Sequence, residues 1–326
     1  MLKLNTVLSR RLFLKGEIKM RKMNLGASDL QVPVVAVGFW RLNRNTDLKT
    51  AEEFIRTAMD NGANFFDHAD IYGGGEAEKI FAEAIGMNDD IREKMIIQTK
   101  CGIVPGKSFD FSKEHILKSV DGSLKRLNTD YIDVLLLHRP DTLFEPEEVC
   151  EAFDILKSNG KVRNFGVSNE NMWQMEYLRS NLNVPLVANQ MQLSIAHCPM
   201  IQGGLNVNMF NDSAVDRGAG IIEYCRMNKI IIQAWSPFQY GFAKGTFIDN
   251  PDFPELNAKL QELADKYDTT KTSIVMAWLL RHPARIQPIT GTLKKDRMLD
   301  CLKGADITLT REEWYAIYMS AGNILP

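Results

Sequence analysis

The feature that most restricts the fold is an alternation. Short runs rich in Val, Ile and Leu are each followed by a longer stretch, and eight such runs occur: Val34–Gly38, Asn64–Asp67, Met95–Lys100, Ile132–His138, Val162–Ser168, Leu186–Gln190, Ile230–Ser236 and Ile286–Thr290. Runs this short and this β-branched suit strands buried on both faces, as in a parallel sheet. The stretches between them carry helical spacing. Over Asp47–Asn61, the residues Leu48, Ala51, Phe54, Ile55, Ala58 and Met59 share one face, and Gly62 supplies a stop. Over Asp110–Arg126, Ser112 is the N-cap candidate, with Ile116, Leu117, Val120 and Leu124 on one face. Glu147–Asn159, Asn171–Arg179, Gly220–Asn228 and Lys271–Arg281 read the same way. The expected fold is therefore α/β, a (β/α)8 TIM barrel with outer helices. A doubly wound sheet is the rival, but it would usually carry a glycine fingerprint after its first strand, and no GxGxxG occurs. Gly102–Ser108 (GIVPGKS) is one residue short of a phosphate loop and reads as an ordinary loop.

Composition closes off several function classes. With 45% hydrophobic and 25% charged residues the chain is ordinary globular material, and a net charge of -2 gives no reason to expect nucleic acid or an anionic membrane as partner. No apolar run approaches the roughly 18 residues that span a bilayer. The 5 cysteines are odd in number and form no CxxC pair, which argues against a disulfide framework or a zinc site. They fit a reducing, cytoplasmic setting. Residues 1–19 are basic and read as a disordered extension ahead of starts at Met20 or Met23, although a transit peptide would look similar. Residues 20–326 are expected to form one barrel domain. Gly26 and Asp29 suit a short hairpin plugging the barrel bottom. Two loops, 191–217 and 237–253, break the rhythm just after strands, on the face where barrel active sites form.

The strand ends carry the chemistry. The second run closes on Asp67 in FFDHADIYGGGE, the third on Lys100 in IIQTKCG, and the fourth on His138 in DVLLLHRPD. Such groups are costly at the end of an apolar strand unless paired or used, and a barrel brings them to one rim. Tyr72 lies just beyond Asp67. A phenol near its free pKa of about 10 is a poor acid at neutral pH, and a nearby ammonium lowers that value. Lys100 supplies the charge, Asp67 orients Lys100, and His138 hydrogen-bonds a carbonyl oxygen or assists proton transfer. This set protonates a developing alkoxide. It contains no nucleophile and no metal cluster, so a hydride donor must come from a cofactor. His68, His115, His197 and His282 have no such company and read as structural or surface residues.

At these residues the chain resembles the aldo-keto reductase superfamily. DHADIYGGGEAE, IIQTKCG, YIDVLLLHRPD, KVRNFGVSN, ANQMQLS, IIQAWSPF and ITGTLKKDRMLD run in family order from about residue 24 to residue 320. The DHADIYGG, HRPD and AWS variants are most similar to the bacterial YdhF-like oxidoreductase branch. The resemblance implies a tetrad of Asp67, Tyr72, Lys100 and His138, with Tyr72 as general acid. It implies that Ser168, Asn169 and Gln190 hydrogen-bond a nicotinamide carboxamide, that Trp235 stacks on the ring, and that Ser236 contacts the pyrophosphate. It places Thr292 and Arg297 at an adenosine 2'-phosphate, with Lys294 and Lys295 adding positive charge, and so implies NADPH. Gly291 and Cys301 depart from the family pattern, standing where a phosphate-binding Lys and an adenine-binding Asn are common.

The substrate pocket is expected to be lined by Trp40, Tyr72 and His138, with Phe238, Tyr240 and Phe242 adding aromatic surface. The partner would then be a small-molecule aldehyde or ketone of modest polarity. A second reading is a cofactor-sensing regulatory subunit with little turnover, as found in this superfamily at ion channels. A third is a barrel enzyme of unrelated chemistry, such as an isomerase or lyase.

Overall fold

The computed structural model describes residues 20–44 and 46–326. The expected extension over 1–19 lies outside them. The barrel strands are β1 (Ala36–Gly38), β2 (Phe65–Asp67), β3 (Ile96–Cys101), β4 (Ile132–Leu137), β5 (Val162–Ser168), β6 (Leu186–Gln192), β7 (Ile231–Trp235) and β8 (Gln287–Thr290). They form a closed eight-stranded barrel, all neighbours parallel, sealed where Ile289 of β8 pairs with Ala36 of β1. The expected strands and the observed ones agree in number and place. Helices cover the outside. Leu48–Asp60 starts where the Asp47 carboxylate accepts from Thr50 N at 2.9 Å, and Lys113–Leu127 where Ser112 Oγ accepts from His115 N at 3.3 Å. Met172–Arg179 opens on a capping box between Asn171 and Gln174. Each cap satisfies an N–H that the first helical turn leaves without an internal partner. Among the described residues no helix is long and apolar enough to cross a membrane.

The bottom of the barrel is plugged as expected. Lys22–Asn24 pairs antiparallel with Gln31–Pro33, and Leu25 and Val32 are fully buried against Phe65, Ile96, Val134, Val187 and Ile231. Gly26 turns this hairpin at φ +58, where a Cβ would stand 2.3 Å from Val187 O, so no larger residue fits. The outer core lies between strands and helices and includes Phe54, Phe66, Phe81, Phe153, Phe165 and Trp278. Asp133 on β4 and Arg92 form a buried ion pair at 2.6 Å in this layer.

Two loops differ from, or refine, the expected picture. Within 191–217 the chain forms a helix, Pro199–Leu205, and a short turn, Asp212–Ala214. Gly203 and Gly204 weaken the helical signal in the sequence. Pro199 starts the helix, and the buried Asn206 amide ends it by donating to Gln202 O at 2.9 Å. Gly102–Ser108 is no phosphate loop but most of a small hairpin, in which Ile103–Val104 pairs with Ser108–Phe109 around the turn 105–107.

Candidate active site

The residues at the ends of β2, β3 and β4 come together. Lys100 is fully buried, and its ammonium donates to both Asp67 carboxylate oxygens at 2.8 Å, to His68 O at 2.6 Å and to Tyr72 Oη at 3.1 Å. The His138 ring stands edge-on to Tyr72, with centroids 5.9 Å apart. The turn that delivers Tyr72 needs glycine. Gly73, Gly74 and Gly75 all have positive φ, and a Cβ on Gly73 or Gly75 would strike Asn43 or Arg126 at 2.4 or 2.8 Å. An ammonium has three hydrogens. Shared among Asp67, the His68 carbonyl and Tyr72, they leave Tyr72 as acceptor from Lys100 and its own O–H free to donate.

The electrostatics differ from the expectation in one respect. Burial pushes the Tyr72 phenol up; the Lys100 charge opposes this, but Asp67 works against Lys100, and the net position is above the ordinary tyrosine value. Sequence reasoning sees the ammonium but not the loss of water around the phenol. For Lys100, burial disfavours the charge, yet Asp67 outweighs it and holds the ammonium. Burial, then Lys100 and Arg139, drive His138 well below the ordinary histidine range, so its ring is neutral near pH 7. His68 is fully buried and stacked on Phe39 at 5.1 Å, and burial takes its pKa down to about 3. Its ring packs among Phe39 and Phe81, which is the setting of a core residue.

Beneath Asp67 lies a chain of glutamines that sequence reasoning missed. Gln98 Nε2 donates to Asp67 Oδ1 at 2.6 Å and to Gln233 Oε1 at 2.9 Å. Gln190 Nε2 donates to the same two atoms at 3.0 and 3.2 Å. Gln233 donates in turn to Gln287 at 2.8 Å, and Gln287 to Pro33 O of the bottom hairpin at 2.7 Å. The available signal was a glutamine inside each of three apolar runs, IIQTK, IIQAW and RIQPI, where a buried amide must find a partner.

The predicted cofactor residues fall into two groups. At the ends of β5 to β7, Trp235 Nε1 donates to Asn169 Oδ1 at 3.2 Å, Asn169 Nδ2 to Ser168 Oγ at 2.8 Å, and Ser168 Oγ to Gln190 O at 2.9 Å. Asn169 and Ser236 have φ of 60 and 52, conformations that cost an L-residue about 1–2 kcal/mol. Gln190 turns inward, both amide hydrogens committed, which leaves its Oε1 as acceptor. Across the rim, Thr292 Oγ1 accepts from Lys294 N at 3.2 Å, and Arg41 fixes this loop by donating to Gly291 O at 3.1 Å. Lys295 pairs with Glu53 at 3.0 Å, whereas Lys294 and Arg297 are exposed without an ion pair among the described residues. Cys301 is buried against Thr290 in the barrel wall, which accounts for an apolar residue there.

Trp40 is half-exposed at the rim, with the Arg41 and Arg44 guanidinium carbons 5.1 and 4.8 Å from its ring centroid. The expected aromatic trio separates. Tyr240 packs on Phe253 and Phe238 against the core, because this loop folds back through a Gln239–Thr246 bridge. Phe242 alone is exposed, edge-on to Trp235 at 6.2 Å.

Glu170, next to Asn169, was also missed. It is buried, its Oε2 has no partner, and burial with the nearby Asp141 charge raises its pKa from 4.5 to about 8. The raised value means that the folded state holds the proton and that an ionisation cost accrues as pH climbs from about 4.5 to about 8. Glu170→Gln is therefore expected to raise unfolding free energy by roughly 4 kcal/mol at about pH 8.5 and by less than about 1 kcal/mol at about pH 5, read by urea titration. An equal gain at both would exclude the carboxyl as the cause.

The comparison with known proteins settles the family. The model described as "Aldo/keto reductase family" matches residues 34–319. This chain belongs to the aldo/keto reductase family. It is 38% identical to the uncharacterized oxidoreductase YcsN of Bacillus subtilis over 305 residues, 90% of this chain and 95% of that one. It is 32% identical to the oxidoreductase YdhF of Escherichia coli over 294 residues, 87% of this chain and 92% of that one, in line with the expected branch. The crystal structure of a thermostable aldo-keto reductase, Tm1743, with the inhibitor epalrestat superimposes with a TM-score of 0.75 at 25% identity, covering 92% of this chain and all of that one. As a member of this family the chain is an oxidoreductase on the barrel seen here.

Proposed function

We propose that this aldo/keto reductase uses NADPH to reduce an aldehyde or ketone to the alcohol, with Tyr72 as general acid. One observation carries the reading: the buried Lys100 donates to Tyr72 Oη while Asp67 and the His68 carbonyl take its remaining hydrogens, so the Tyr72 O–H is left to give away. When bound, a reduced nicotinamide supplies the hydride to the carbonyl carbon. Tyr72 donates its proton to the carbonyl oxygen as negative charge develops there. Lys100 stabilises the tyrosinate that remains, and Asp67 with Gln98 keeps Lys100 in place. The neutral His138 ring donates a hydrogen bond to the same oxygen. The product is an alcohol, one hydride and one proton richer than the substrate.

The residues present fit such a cofactor. Ser168, Asn169 and the free Gln190 Oε1 would hold a carboxamide, Trp235 offers a ring face, and Ser236 would meet the pyrophosphate. Lys294 and Arg297, which have no ion pair among the described residues, are cations in the loop and helix start that follow Thr292, suited to a 2'-phosphate. Arg297→Met is expected to weaken NADPH binding roughly 10- to 100-fold, the worth of a charge-assisted hydrogen bond, while NADH binding holds. Intrinsic tryptophan fluorescence titration reads both. In this reading residues 20–326 act as one domain.

The reaction itself is tested by a panel of aldehydes and ketones, followed at the NADPH absorbance band with NADH alongside. Carbonyl-dependent oxidation of NADPH is expected. Tight NADPH binding with no turnover across the panel would favour the sensing reading, and failure to bind either nucleotide an unrelated chemistry.

A further inference from the structure

Arg139 follows His138 at the end of β4 and is taken partly out of water. Its guanidinium carbon lies 5.5 Å from the centroid of the Trp235 ring. Among the described residues no hydrogen bond or ion pair engages that guanidinium, and the fold treats no other such arginine this way. Arg41 has Gly291 O, Arg92 has Asp133, Arg126 has Glu78, Arg179 has Glu176 and Arg281 has Leu309 O. The nearest acid in sequence, Asp141, is spent on Phe111 N and Leu143 N, both at 2.9 Å. Arg139 is also close enough to bear electrostatically on both Tyr72 and His138.

A partly desolvated cation without a counter-charge is costly to keep, and a guanidinium fork matches a carboxylate or phosphate in shape. We propose that Arg139 is the specificity-determining residue of the carbonyl pocket and that the substrate is a carbonyl compound bearing a carboxylate or phosphate. The carbonyl oxygen would meet Tyr72 and His138 while the anionic end meets the Arg139 guanidinium. This rests on the reading of Tyr72 as the acid, and it replaces the expectation of a substrate of modest polarity.

Two matched pairs test it with NADPH: 4-oxobutanoate against its methyl ester, and glyceraldehyde 3-phosphate against glyceraldehyde. The wild-type protein is expected to favour the anionic member of at least one pair by about 10- to 100-fold in kcat/KM, and the responding pair identifies the anion. Arg139→Met is expected to erase that preference through KM, lowering kcat/KM for the anionic members far more than for the neutral ones, while the NADPH dissociation constant holds. Arg139→Lys, which keeps charge but not the fork, is expected to fall between. Equal use of both members of each pair overturns the proposal. So does an Arg139→Met variant that loses both members alike or that loses NADPH affinity instead. If no aldehyde is reduced, calorimetry on the NADP-loaded protein separates the two claims. Binding of 4-oxobutanoate or glyceraldehyde 3-phosphate that Arg139→Met abolishes supports the anion site and removes the reductase reading; absence of such binding overturns the anion site too.

Discussion

Tyr72→Phe is expected to lower kcat by about three orders of magnitude, the middle of the range that a positioned general acid contributes. The ring stays, so its edge-on contact with His138 is kept. Lys100 loses one acceptor but retains Asp67 and the His68 carbonyl. NADPH affinity should therefore hold, and the loss should appear in the chemical step of a single-turnover measurement. The pH profile gives a second reading. Burial places the phenol above its ordinary value, and the protonated form is the active one. In the free protein, activity that depends on this proton is fully present below that raised value and is lost only as pH climbs through it. Wild-type rates in Tyr72→Phe would remove the proposed acid.

Asp133→Ala is the substitution with the largest expected effect on stability. Asp133 Oδ2 accepts from Arg92 at 2.6 Å and from Ile97 N at 2.9 Å, and Oδ1 accepts from Arg163 at 3.2 Å. Arg92 and Asp133 are both buried, and the Arg92 guanidinium lies 3.8 Å from the Tyr131 ring centroid. Removing the carboxylate leaves a buried cation without its counter-charge and a strand N–H without its acceptor. The cost of breaking such a pair is about 3–5 kcal/mol. Asp133→Asn keeps one acceptor and is expected to lose less. Both are read by chemical denaturation, with kcat measured well below the melting range. A drop in kcat equal to the drop in stability would tie Asp133 to the site rather than to the fold.

What the sequence makes legible follows from the range of the interactions. The β-branched runs and the caps at Asp47 and Ser112 depend on neighbours a few residues away, so strands and helix starts are readable. Asp67, Lys100 and His138 are readable because a polar group closing an apolar strand is conspicuous. Gln98 finds Gln233 across 135 residues, and nothing local announces that pairing. Arg139 is likewise silent, since its distinction is the lack of a partner, which only the packed chain reveals. The Tyr72 phenol lies beside Lys100, but the direction of its shift depends on burial, which pattern alone does not measure. The helix Pro199–Leu205 was hidden by two glycines whose weak propensity is overridden by the proline before them and the amide behind.

The glutamine chain under Asp67 also bears on how the site is reset. Gln98 and Gln190 each spend one hydrogen upward on Asp67 and one downward on Gln233. The line then runs through Gln287 to the carbonyl of Pro33, a residue with no N–H of its own. Both ends accept, every link is an amide, and amides neither take up nor release protons near neutral pH. This line of amides therefore relays no proton to Asp67 from the bottom of the barrel. In the proposed reaction, the hydrogen that Tyr72 gives up is then restored from the pocket side rather than along the glutamines, so that recharging the acid and releasing the alcohol share one opening.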